Sequence, residues 1–437
     1  MSAMAEEGHM QGDGESIQGK VPSSPPGPSQ TLALPPTFYA DKLSNAAKAR
    51  KPCPIHDLFA VGSKPGILSM VLGQPNPSTF PFEKLTIQVK PTTAAGAGDD
   101  NVRDVTTNLV LELQEELEVA LQYGQTAGVT ELVEWIQEMM SDVHGRRAEE
   151  GWRVIIGAGG QDLLYKAFHA LLNPGDSILV EGPTYPAALS VLDGLGCHCR
   201  AVDVDDDGMS ISHLTEVLEA WDEGETPFPR VLYTIPFGAN PSGVTATYET
   251  RVEVLRLARK YDLIIIEDDP YYFLYYGNLP RPPSYFSLER ELGGELGRVL
   301  RLDSFSKVLA PGFRLGWATG PRELLDAIER HNSISVAQAS TFSQIITLKL
   351  LREWGLNGFL AHTRRIAEVY KKRRTVFNAY LERHLSGLAE WRVPDASMYF
   401  WFNCRLEYVH PRKGDLEWAC WFYLVKLPIQ MEGPRRL

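Results

Sequence analysis

Between Arg153 and Trp317 the apolar residues fall into short continuous runs, separated by stretches in which an apolar residue returns every three or four positions. RVIIG, SILVEG, CHCRAVDVD, VLYT, DLIIIE and RVLRLDS are the runs; QDLLYKAFHALL and the segment after Tyr185 are the amphipathic stretches. Strands alternating with helices at this spacing predict an α/β sheet with crossover helices. Upstream, NLVLELQEELEVALQYG predicts a helix stopped by Gly124, and the next helix carries Val129, Leu132, Val133 and Ile136 on one stripe. Downstream, amphipathic helices are expected around 321–353 and 358–385, and a second, smaller unit is entered at EWRVPDASMYFWFNC. Residues 1–37, with VPSSPPGPSQ, cannot bury enough surface to offset ordering entropy and predict a disordered tail. PTTAAGAGDD predicts a flexible surface loop.

Composition narrows the class. With 437 residues, 44% apolar and 22% charged, the chain has core enough for two or three domains and the balance of an ordinary globular protein. A net charge of −12 argues against a polyanion, so no nucleic acid is expected as the main partner. No apolar run approaches the ~20 residues of a membrane helix, and no membrane partner is expected. The start, MSAMAEEGHMQGDGES, has acid where a transit peptide would have arginine, which points to the cytoplasm. The five cysteines show no disulfide framework. Cys197-His198-Cys199 looks metal-like, but a strand puts both thiols on one face and the imidazole on the other, and no second ligand pair follows. A core strand is expected there, and no metal site.

Chemistry concentrates in RLDSFSKVLAPGFRLGW, Arg301 to Trp317. Lys307 lies behind Ser304 and Ser306, with Arg314 seven places on. A lysine that forms a Schiff base must sit beside whatever holds its aldehyde, and hydroxyls with an arginine fork suit a phosphate. That pattern points to pyridoxal phosphate. The turn IIGAGGQDLL leaves free amides at a helix start, a second anion signal. Two strands run into polar loops: VLYTIPFGANPSGV, carrying Asn240, and DLIIIEDDPYY, where Asp268 and Asp269 end an apolar run. Ligands of open α/β sheets bind at such carboxyl ends, and paired carboxylates there require a cation or water. Taken without further context, Tyr123 and Tyr185 read as core or helix-end tyrosines.

These segments together resemble the class I/II aminotransferases of fold type I, and within them the aminoadipate/kynurenine and fungal aromatic aminotransferases. The resemblance implies a large domain with a mainly parallel mixed sheet between helices, plus a small α/β domain. The expected division is a joining segment at 38–90, a cofactor domain at 91–357 and a small domain at 358–437. It implies that Lys307 carries pyridoxal 5'-phosphate, with Gly160, Gln161, Ser304, Ser306 and Arg314 around the phosphate. Tyr185 is implied as the aromatic on the pyridine ring, and Asn240 and Tyr272 as partners of its phenolic oxygen. Alignment by the Asp-x-x-Tyr spacing assigns the pyridine nitrogen to Asp269 and leaves Asp268 structural. Tyr123 is implied to reach the cofactor of a second subunit, hence a homodimer with shared sites. Gly73 and His56 are implied near the substrate, His56 standing where the family often has arginine.

The resemblance covers about residues 41–403. Beyond it the chain reads WFYLVKLPIQMEGPRRL, without the family's segment for the arginine that grips the substrate's α-carboxylate, so Arg435 and Arg436 receive no role. An incomplete small domain is expected from this. The implied activity is amino transfer from an aromatic amino acid or 2-aminoadipate-like donor to a 2-oxo acid such as 2-oxoglutarate. Two alternatives are a cofactor-binding protein with impaired turnover and a cofactor-binding regulator, the latter lacking a DNA-binding module.

Overall fold

The computed structural model describes residues 31–52, 66, 73–90 and 109–404. The chain opens in strand β1 (Thr31–Ala33), which pairs in parallel with residues 294–296, inside the stretch expected to be a disordered tail. Its side chains are exposed. Backbone pairing rather than burial holds it, which a reading based on apolar content does not register. Helices α1 (Pro36–Lys42) and α2 (Asn45–Ala49) follow, the second capped by Ser44 accepting from the Ala47 amide.

Strands β2 (Leu85–Gln88) and β3 (Val110–Leu113) form an antiparallel ribbon, and only Glu115–Leu121, α3, is helical in the segment expected as one long helix. Leu111 and Leu113 are buried while Val110 and Glu112 are exposed. That period of two, combined with a partner strand more than twenty residues upstream, overrides the helix propensity of the run. Helix α4 (Thr130–His144) buries Leu132, Ile136, Met139 and Met140 and stops at Gly145 in the left-handed region.

The core is a sheet built from β4 (Trp152–Gly157), β5 (Ser177–Gly182), β6 (His198–Asp205), β7 (Gly208–Met209), β8 (Val231–Thr234), β9 (Ile264–Asp268), β11 (Val299–Ser304) and β12 (Gly316–Pro321). Strand β10 (Gly294–Leu296) is the partner of β1. The sheet order is β4-β12-β11-β9-β8-β5-β6-β7. The run from β11 through β9, β8 and β5 to β6 is parallel, and β12 runs against both neighbours. Crossovers are supplied by α5 (Gly160–Leu171), α6 (Pro186–Leu195), α7 (Ile211–Glu219), α8 (Tyr248–Lys260) and α9 (Tyr285–Glu291). Ile264, Ile265 and Ile266 are all fully buried because β9 is covered on both faces. Trimming one of them to alanine is expected to cost about 2–5 kcal/mol.

The strand at CHCRAVDVD is present, but it is not a core strand: Cys199 is exposed and Val202 is its buried residue. Only the short β7 lies beyond β6, so little covers it. Past the sheet, α10 (Arg322–Ser335) and α11 (Thr341–Leu385) replace the two helices expected at 321–353 and 358–385. Gly355, at φ 61°, breaks α11 into two helices that meet at a kink. A ribbon of β13 (Ala389–Trp391) and β14 (Phe402–Cys404) closes the described chain. No described helix is long and apolar enough to cross a membrane. His56, Arg435 and Arg436 lie outside the described residues.

Candidate active site

The carboxyl ends of β4, β5, β8, β9 and β11 converge on one edge of the sheet, and each delivers part of the site. At the end of β4 the chain turns through Gly159, φ 94°, into α5. A Cβ on Gly159 would lie 2.7 Å from the Arg314 guanidinium, so only glycine allows that close approach. A Cβ on Gly316 would lie 2.9 Å from the Gly160 amide nitrogen, so the start of β12 is pressed against the same turn. A Cβ on Gly160 would meet Ser304 at 3.7 Å, and the Ser304 hydroxyl accepts from the Ser306 amide at 3.1 Å. The start of α5, the Ser304 hydroxyl and the Arg314 guanidinium thus lie side by side, with Ser306 following Ser304 in the chain, an arrangement that attracts a dianion. Gln161 Oε1 is buried there without a hydrogen-bond partner among the described residues.

Lys307 follows β11 in a tight turn, where the Leu309 amide donates to the Phe305 carbonyl at 2.8 Å. Phe305 anchors that turn between Trp317, 4.6 Å away, and Phe359. Burial, then the neighbouring Arg314, hold the Lys307 amine below the usual lysine range. A larger neutral fraction makes it a better nucleophile and base.

Adjacent residues of a strand point to opposite faces, and this separates the two aspartates. Leu302 pairs in register with Asp268, and Ser304 lies two residues on from Leu302, so Asp268 shares the face of Ser304 and the anion cup. Tyr233, whose ring meets Phe168 of α5, donates to Asp268 Oδ2 at 2.8 Å. Burial raises Asp268 to about 7, with the Tyr233 bond opposing and Asp269 adding to the rise.

Asp269 occupies the other face. Its Oδ2 accepts from Arg301 at 2.9 Å, and the same guanidinium contacts Glu267 at 3.2 Å and forks onto Asp303 at 2.7 and 2.9 Å. Asp269 Oδ1 is buried there without a partner among the described residues. Tyr272 goes with it, its ring tilted against His144 at 4.7 Å and beneath Arg281 and Arg301. Tyr271 instead joins Asp268 and Tyr185: burial holds its hydroxyl well above the usual phenol range, and Tyr399, Asp268 and Tyr185 add to this. EDDPYY therefore holds two overlapping Asp-x-x-Tyr pairs. The pair expected from spacing, Asp269 with Tyr272, faces away from the cup, and Asp268 with Tyr271 faces it.

The loop after β8 brings in Asn240, which is 7% exposed with its Oδ1 unpartnered among the described residues. Arg251 of α8, fully buried, clamps this loop by donating to the carbonyls of Pro236 at 2.7 Å and Ala246 at 2.9 Å, with its guanidinium over Phe237. Tyr185 stands at the start of α6 after β5, half-buried. Tyr123 is 57% exposed rather than half in the core. Gly73 is exposed, and a Cβ there would meet nothing within 4 Å among the described residues. The sequence assigned Asp268 a structural place and gave no role to Tyr271, Tyr233, Arg251 or Arg301. The alternation in IIIED sends Asp268 and Asp269 to opposite faces, but both faces of β9 are buried, so it does not choose between them.

A phosphate cup, a lysine of lowered pKa, a buried carboxylate and an unpartnered amide oxygen around one edge fit a flat phosphorylated aldehyde. The sequence pattern of the family described as aminotransferase class I and II matches residues 95–418, running past residue 403, where the resemblance was expected to stop. Aminotransferase tdiD of Emericella nidulans is 38% identical over 381 residues, which cover 87% of this chain and 84% of that protein. The Bos taurus protein named kynurenine/alpha-aminoadipate aminotransferase, mitochondrial, is 37% identical over 380 residues, 84% of each chain. The crystal structure of aminotransferase Aro8 from Candida albicans superposes with a TM-score of 0.75 at 32% identity, over 86% of this chain and 81% of that one.

Proposed function

The chain belongs to the class I and II aminotransferases and depends on pyridoxal 5'-phosphate, and from that premise we propose that it transfers an amino group from an aromatic amino acid, kynurenine or 2-aminoadipate to 2-oxoglutarate. The donor class rests on the names of its relatives. What supports the site is that Asp268 and Ser304 share one face of the sheet edge, that the start of α5 and Arg314 lie against them, and that Lys307 follows Ser304 and Ser306 in the same loop; Gly160, Gln161, Ser304, Ser306 and Arg314 are proposed as the phosphate cup.

Bound there, the cofactor supplies an aldehyde and a ring that accepts electrons. Lys307 would hold the aldehyde carbon, and its amine, once freed by substrate, would carry the proton from the substrate's α-carbon to the cofactor side. Asp268 would hold a proton at the pyridine nitrogen; burial raises its pKa, and a pyridinium beside it would favour the carboxylate. This role passes to Asp268 from Asp269, and the donor to the phenolic oxygen becomes Tyr271 in place of Tyr272. Asn240 would share that oxygen and orient substrate, and Tyr185 would cover the ring.

Gly73 and His56 are kept as substrate-side residues on the resemblance alone. Tyr123, exposed beside the exposed Val119, is proposed to enter the site of a second copy in a homodimer. The kink at Gly355 is taken as the passage from a large domain at 91–357 to a small one at 358–437, after a joining segment at 38–90. Residence in the cytoplasm is the reading to test by cell fractionation, because the bovine relative is named as mitochondrial. The deciding assay gives the purified chain 2-oxoglutarate and a panel of amino acids and follows glutamate formation. Turnover with tyrosine, phenylalanine, kynurenine or 2-aminoadipate is expected; turnover confined to aspartate or alanine would overturn the donor class.

A further inference from the structure

Tyr271 has a partner that the amino-transfer reading does not use. Its hydroxyl lies 2.8 Å from the hydroxyl of Tyr399, and the two rings meet edge to face at 5.6 Å. Tyr399 arrives from the far end of the described chain, on a strap at residues 395–399 that several contacts fix in place. The Tyr276 amide donates to the Asp395 carbonyl at 2.8 Å, and the Tyr276 hydroxyl lies 3.1 and 3.0 Å from the carbonyls of Ala396 and Ser397. The Ser397 amide donates to Leu274 at 3.3 Å. On its other side the strap presses on the Asn240 loop: a Cβ on Gly238 would lie 2.7 Å from the Ala396 backbone, and one on Gly243 would lie 2.6 Å from the Tyr399 carbonyl oxygen. Gly238 and Gly243 both have positive φ, 50° and 71°. The fold therefore gives up side chains at two loop positions to bring Tyr399 against the site, and Ser397 holds φ 62°, in the left-handed region, to turn it inward.

We propose that Tyr399 is a positioning residue for amino transfer: its hydroxyl donates to the Tyr271 oxygen and so directs the Tyr271 proton toward the phenolic oxygen of the bound cofactor. This rests on the placement of Tyr271 proposed above. A phenol that accepts a hydrogen bond is a stronger donor in turn. Tyr271 would then stabilise negative charge on the phenolic oxygen, which favours loss of the proton from the lysine–cofactor link. The charged and titratable groups around this pair are Asp268 at the end of β9, Tyr185 at the start of α6 and Tyr399 on the strap; Lys307 itself is faced by Arg314.

The test titrates the visible absorption band of the cofactor-loaded protein with pH, for the parent chain, Tyr399→Phe, Tyr271→Phe and the double variant. Each change removes one hydroxyl and keeps its ring, so packing is preserved. Tyr399→Phe is expected to raise the titration midpoint by about half a pH unit, the scale of one neutral hydrogen bond, and Tyr271→Phe by more. The double variant should match Tyr271→Phe alone, because Tyr399 acts only through Tyr271. A normal band whose midpoint is unmoved by Tyr399→Phe, or shifts that add in the double variant, would overturn the inference and leave the cofactor reading intact. A parent chain with no visible band after loading would overturn both.

Discussion

The two faces of the sheet's carboxyl edge carry similar side chains and arrange them for opposite ends. On the far face, Arg301 gathers Glu267, Asp269 and Asp303 into one buried cluster, and Glu267 also accepts from the Tyr285 and Phe286 amides. On the cup face, among the described residues, Asp268 accepts from the Tyr233 hydroxyl and pairs with no guanidinium, while Gln161 and Asn240 each keep a buried oxygen without a partner. A guanidinium amid carboxylates is closed to ligands. A carboxylate held by one phenol, next to open amides, is ready for a cation. The difference lies in the cation: the far face supplies its own in Arg301, although Asp269 Oδ1 keeps no partner there among the described residues, whereas the cup face leaves room for a ligand to supply one.

The sharpest way to break the comparison is at the lysine. Lys307→Ala should abolish the borohydride-stable link to the cofactor and lower turnover by at least about 10³-fold; mass spectrometry of the reduced protein checks the first and glutamate formation the second. A surviving adduct would place the imine elsewhere.

Next is the contrast between the aspartates. Asp268→Asn should cost about 10²–10³-fold in turnover, whereas Asp269→Asn should stay within about tenfold and chiefly lower stability. Steady-state rates alongside urea melts decide this, and the reverse ranking would return the pyridine to Asp269.

A smaller effect, on stability, is expected from Arg301→Met. Removing the guanidinium strands three buried carboxylates and should destabilise the fold by about 3–5 kcal/mol in chemical denaturation. The double variant with Asp269→Asn should recover part of that loss.

The smallest effect concerns pH. Burial lifts Asp268 from about 3.8 in the unfolded chain to about 7 in the fold. A raised carboxyl contributes its stability below about pH 4 and loses it as pH climbs through 7. Cofactor-free protein should therefore lose stability over that window, on the order of 1–4 kcal/mol from this group. Asp303 and Glu181, also raised to about 7, act in the same direction. Asp268→Asn should flatten the slope only in part, and an unchanged slope would show that Asp268 does not titrate as its burial implies.

Much of the fold was legible because the strands of the parallel sheet are continuous apolar runs: IIIE of β9 and SILVEG of β5 need no partner to be recognised. β3 was misread because LVLEL suits either period, and what decided it was β2, far upstream in the chain. β1 was missed for a related reason, since its exposed side chains say nothing of the backbone bonds that hold it.

What the sequence by itself determined is chemistry held within one segment. The Lys307 loop with its serines and Arg314, the glycine turn into α5 and the Asn240 loop are each complete over fewer than twenty residues, because a turn's conformation depends on its own glycines and prolines. What only the tertiary structure decided is which of two neighbours shares a face with Ser304 and the start of α5. In EDDPYY the alternation of the strand sends Asp268 and Asp269 to opposite sides, and nothing local says which side is the site. That choice belongs to α5, which brings its amides to one face, and to Arg301, which closes the other from a strand more than thirty residues away. The bond from Tyr399 to Tyr271 likewise spans 128 residues, and the packing of the strap against the Asn240 loop creates it.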